Sequence, residues 1–89
     1  MKPEERVLDD LRKSAEEIIK LCTDNISVAG ADAVIRETRE TLRQSEIKFS
    51  AAKNSESEMK LVCDEIRRYT SFNNEKLPEI KKIIQRARN

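Results

Sequence analysis

The stretch Leu8-Asp9-Asp10-Leu11-Arg12-Lys13-Ser14-Ala15-Glu16-Glu17-Ile18-Ile19-Lys20-Leu21-Cys22 sets Leu8, Leu11, Ala15, Ile18 and Cys22 at intervals of 3, 4, 3 and 4. That spacing puts all five on one stripe of an α-helix, close to a heptad seam. Pro3 suits a first helical turn, where its missing N–H costs nothing. Thr23, Asp24 and Asn25 prefer local side-chain hydrogen bonds and end the helix. The reading is helix A over 3–23.

The pattern resumes after residues 25–31, a connection around the only glycine, Gly30, with Asp32 read as the N-cap of the second helix. Ile35, Thr38, Leu42, Ser45, Phe49 and Ala52 continue the same count. So do Glu56, Met59, Cys63, Ile66, Thr70, Asn73, Leu77, Ile80, Ile84 and Ala87. Ser55 and Glu58 form a capping box, in which each satisfies the other's free backbone donor. The chain is therefore divided there, with helix B over 32–53 and helix C from 56. Asn73 falls in a polar stretch just before Pro78, which disfavours helical geometry at Leu77 and removes one ladder bond. Helix C either ends near 72 and restarts as a fourth helix over 76–88, or continues with a kink. The surviving register favours the kinked continuation.

The expected fold is all-α and a single domain over 1–89. It is an antiparallel three-helix bundle, or a coiled-coil hairpin with a long third helix kinked or broken near 73–78. Helices A and B, each ~32 Å long, should lie antiparallel and bury their stripes on each other. Multi-strand architectures need turns that one Gly and two Pro among 89 residues cannot supply. No apolar run exceeds three residues, which excludes a membrane span and a signal-peptide core.

Charged residues make up 39% of the chain, yet the formal net charge is only +1, which argues against a protein dedicated to coating nucleic acid. The charge is unevenly placed. Residues 1–30 carry five basic and seven acidic groups, and residues 61–89 carry seven basic and four acidic. Lys81, Lys82, Arg86 and Arg88 mark a basic C-terminal face. They neutralise a helix dipole, or they dock an acidic partner, an anionic lipid surface or nucleic acid.

Nothing in the sequence assembles a reaction centre, so no enzyme, cofactor or metal site is expected. There is no His to shuttle protons near neutral pH, and one Gly cannot make a phosphate-cradling loop. Adjacent carboxylates such as Glu16–Glu17 diverge around the helix axis. Cys22 and Cys63 fall on apolar stripes, where thiols behave as small hydrophobes and point to a reducing, cytoplasmic setting.

The informative residues are apolar ones off the seams. Leu21, Ile26, Val28 and Ile47 are hard to bury in a two-helix seam. Val62, Tyr69 and Phe72 form a second stripe beside the main one on helix C. They either widen the core of a three-helix bundle or, flanked by Arg67, Arg68 and Lys76, make an exposed patch that docks a protein partner.

Two stretches carry a family resemblance. Lys13-Ser14-Ala15-Glu16-Glu17-Ile18-Ile19-Lys20-Leu21 is similar to the end of the first helix in the homology-region-1 repeats of Rho effectors, such as the protein kinase C-related kinases. Leu42-Arg43-Gln44-Ser45-Glu46-Ile47-Lys48-Phe49 resembles the second helix of that repeat. The resemblance covers residues 8–53 and implies an antiparallel coiled-coil finger that binds a Rho-type small GTPase. The helix layout is also similar to the three-helix N-terminal domains of SNARE proteins. The expected function is a non-catalytic helical interaction module, an intracellular adaptor with a small GTPase as candidate partner. The alternatives are a structural oligomeriser built from copies of this chain and, behind it, a lipid or nucleic-acid binder.

Overall fold

The computed structural model describes residues 2–89. They form three helices: α1 over Pro3–Asp24, α2 over Ala31–Ala51 and α3 over Glu56–Arg88. No strand occurs among the described residues. The molecule measures 50 × 19 × 18 Å, and its long axis is the length of α3, whose 33 residues rise about 50 Å. The chain is an all-α three-helix bundle.

Helix α1 is the centre of the packing. It lies as closely against α2 as against α3, whereas α2 and α3 touch each other much less. Its seam residues Leu8, Leu11, Ala15, Ile18 and Cys22 are all buried, because a helix enclosed by two neighbours must be covered along its whole length. α2 runs antiparallel to both others. Arg12 on α1 donates from Nε and Nη2 to Glu46 Oε2 on α2, at 3.0 and 2.7 Å.

The core has two apolar clusters. Val7, Leu8, Leu11, Phe49, Cys63 and Ile66 pack together toward one end. Ile18, Cys22, Ala31, Ile35, Ile80 and Ile84 pack together toward the other. Between them lies a waist of small and polar side chains: Ser14, Ala15, Ser45 and Asn73, all buried. Cys22 and Cys63 are free thiols in different clusters.

Three local expectations are corrected. Asp32 does not cap α2. The N-cap is Gly30 at φ 89°, ψ −9°, with no side-chain cap bond, and Asp32 sits in the first turn. This left-handed geometry is where a Cβ costs most and glycine costs nothing. The Ser55–Glu58 capping box is one-sided: Glu58 N–H donates to Ser55 Oγ at 3.3 Å, while Ser55 N–H donates to Ala52 O at 3.1 Å. For helix C the favoured alternative, continuation past 72, holds, and the correction concerns Asn73. The helix is unbroken through Pro78, and Asn73 is part of the core instead of an interruption. Pro78 and Asn74, whose carbonyl loses its ladder donor, are both exposed, so water can satisfy that carbonyl.

Candidate functional site

Because α1 holds the bundle together, α2 and α3 part along one side. The groove between them, about 390 Å³, is lined by Glu37, Thr38 and Thr41 of α2 and by Arg68, Tyr69, Phe72, Asn73 and Lys76 of α3. Lys48 closes one end. Its Nζ donates to Glu65 Oε1 at 2.8 Å, and the Tyr69 hydroxyl donates to the same oxygen at 3.1 Å. The Lys48 hydrogen bond, with a smaller contribution from Tyr69, holds the Glu65 carboxyl below the usual carboxylate range. The same bond raises the Lys48 ammonium. Beyond this strap the walls carry an aromatic and two cations. Phe72 is 57% exposed, and Lys76 Nζ lies 5.3 Å from its ring centroid, within cation–π range.

The residues singled out in the sequence divide into three groups. Arg68, Tyr69, Phe72 and Lys76 converge on the groove. Tyr69 also packs against the first apolar cluster; Val62 packs there too, half-buried, but does not line the groove and belongs to the core. Arg67 does not line the groove: it sits on the adjoining flank, in a separate shallow depression shared with Arg68 and Phe72, and its Nη1 donates to Asp64 Oδ1 at 3.1 Å. Of the off-seam residues, Leu21 and Val28 pack against the second cluster, whereas Ile26 and Ile47 stay exposed. The basic C-terminal residues are all exposed. Helical periodicity places Lys81 with Arg88 on one flank and Lys82 with Arg86 on another, so the four do not make one continuous patch.

Sequence reading missed the α2 wall of Glu37, Thr38 and Thr41, since no helical pattern says which neighbour faces it. It also missed Leu61 and Ile83, exposed at 70% and 55%. Their spacing of 11 residues on either side of Phe72 was a signal available in the chain.

A larger depression, about 1100 Å³, lies at the bundle end among Glu4, Lys53, Glu56, Met59 and Lys60. It is an open trough between solvated charges of both signs, and its lining is more polar than that of the groove. The groove, with its aromatic wall, is the better docking site. Burial raises both Cys22 and Cys63 above the usual thiol range, the opposite of what a nucleophilic thiolate needs. Among the described residues, no cluster of three or more His, Cys, Asp or Glu could hold a metal ion, and no helix is long and apolar enough to cross a membrane.

Fold and site together define a class: a three-helix bundle carrying an aromatic, cation-rimmed groove between two of its helices. No family model, curated protein or solved structure matches the chain.

Proposed function

We propose that this protein is a non-catalytic helical interaction module that docks a protein partner in the α2–α3 groove. The observation that carries the reading is the convergence of Arg68, Tyr69, Phe72 and Lys76 on one opening. Neither Arg68 nor Lys76 has an ion-pair partner among the described residues. Exposed aromatic and arginine side chains around a concave surface are the groups that dominate binding energy at protein interfaces. The resemblance of residues 8–53 to Rho-effector repeats makes a Rho-type small GTPase the candidate partner. Two buried, unpaired thiols suit a reducing compartment, so we place the adaptor in the cytoplasm.

The test is calorimetric titration of a Rho-type GTPase, loaded with a GTP analogue or with GDP, into the wild type and Phe72→Ala. Phe72 is the better probe because Tyr69 also braces the Lys48–Glu65 strap. The expected result is binding that prefers the GTP-like form and weakens ~10-fold or more in the variant, as for truncation of a hot-spot aromatic. Equal or absent binding with both nucleotides removes the GTPase. Unchanged affinity in Phe72→Ala removes the groove.

A further inference from the structure

Leu61, Phe72 and Ile83 are 70%, 57% and 55% exposed, and they are 11 residues apart along α3. Eleven residues are just over three turns, so the three side chains stand on nearly one line along the helix. On that line Lys76 and Glu79 come between Phe72 and Ile83, giving Phe72-Lys76-Glu79-Ile83 at spacings of 4, 3 and 4. Read backwards, the series is again apolar, charged, oppositely charged, apolar. Neither Lys76 nor Glu79 has an ion-pair partner among the described residues.

We propose that this stripe pairs antiparallel with the same stripe of a second copy of the chain, forming a two-fold dimer through the open side of the bundle. The pairing rests on reading Phe72 and Lys76, the two stripe residues that also line the groove, as part of an interaction surface, and names a second copy as the occupant of the stripe. Laid antiparallel, Phe72 meets Ile83 of the second copy and Lys76 meets its Glu79. Two-fold symmetry makes each contact twice, as an isologous interface requires. Charge selects this register from the neighbouring ones. Centring on Phe72 would oppose Glu65 to Glu79 and Arg68 to Lys76, like against like. Leu61-Glu65-Arg68-Phe72 has the same reversible pattern, but Lys48 and Tyr69 already hold its acid. The surviving register is centred between Leu77 and Pro78.

A contact of this length falls at the small end of protein interfaces, below about 1,200 Å² in total. The dimer is therefore weak and concentration-dependent. Sedimentation equilibrium of the full chain should show a mass rising from 10.3 kDa toward twice that value between ~10 μM and ~1 mM. Lys76→Glu sets Glu against Glu79 and should weaken association ~5-fold or more. Glu79→Lys should do the same, since each change acts at two symmetric pairs. Combining the two substitutions restores opposite charges and should recover association to within about a factor of two. Phe72→Ala should weaken it with helix content unchanged by circular dichroism, because that ring is outside the core. A wild type that stays monomeric across this range overturns the proposal, as does a dimer indifferent to all four variants or a double swap that fails to recover. A strict monomer that still binds the loaded GTPase assigns the groove to another chain, so the self-pairing falls while the docking surface stands.

Discussion

Asn73 on α3 donates from Nδ2 to Ser14 Oγ on α1 at 3.1 Å, and Ser14 in turn donates to Leu11 O at 2.9 Å. Both side chains are buried at the waist between the two apolar clusters. Apolar stripes alone would tolerate sliding of α3 along α1 by a turn. A single buried polar pair penalises every other register, because a slip strands both groups without water. Ser14→Ala should therefore cost ~1–3 kcal/mol by leaving the Asn73 amide unpaired. Ser14→Ala combined with Asn73→Leu should be milder than Ser14→Ala alone. Urea denaturation of both singles and the double closes the cycle, and strict additivity would show that the pair is not coupled.

The Ser45 hydroxyl is in the same waist, nearly fully buried and without a hydrogen-bond partner. Ser45→Ala removes an unsatisfied group with almost no change in volume and should stabilise the protein by ~1 kcal/mol. Ile66→Ala should move stability the other way by ~2–5 kcal/mol, since Ile66 is only 1% exposed. Leu42→Ala should cost less, because Leu42 is only partly buried. Thermal midpoints should therefore fall from Ser45→Ala through Leu42→Ala to Ile66→Ala.

The Lys48–Glu65 strap makes stability depend on pH at both extremes. Glu65 is held below its ordinary 4.5, so the unfolded chain binds its proton first. The strap's contribution is whole above that value and is lost as pH falls through the lower, folded one. Lys48 is raised above 10.5, so its contribution is whole below that value and fades as pH rises through the folded one. Glu65→Gln should remove the acid-side loss. The urea midpoints of wild type and variant should then converge as pH falls below 4.5 and through the lower folded value, and the gap between them at neutral pH should be wider at low salt, where the exposed pair is least screened. Parallel curves would show that the strap carries no linkage.

Pro78 stands inside α3, on an exposed turn. Pro78→Ala restores an N–H to bond the Asn74 carbonyl and relieves the ring's pressure on it. Proline in a helix interior costs ~3 kcal/mol, partly offset by the stiffness it gives the unfolded chain. The variant should be more stable by ~1–3 kcal/mol, read from the denaturant midpoint. A lower midpoint would mean that the proline shapes a packing the alanine cannot keep.

The 3-4 spacing from Leu8 to Cys22 and from Ile35 to Ile84 was enough to predict three helices and most of their buried faces, because a helix fixes which residues share a side. It could not say what lies against that side. Val62 and Phe72 looked equivalent along the chain, yet one packs beneath the bundle and the other stands open. Glu37, Thr38 and Thr41 carried no mark of a groove wall, since the wall exists only because α3 passes beside them. Asn73 read as an interruption because its partner, Ser14, is 59 residues away. Local periodicity therefore determined the helices and their apolar faces, through backbone geometry that each segment carries by itself. The waist, the register of α3 and the opening between α2 and α3 were decided only in the tertiary structure. They arise from contacts between distant segments, and α1, enclosed on two sides, leaves its neighbours apart.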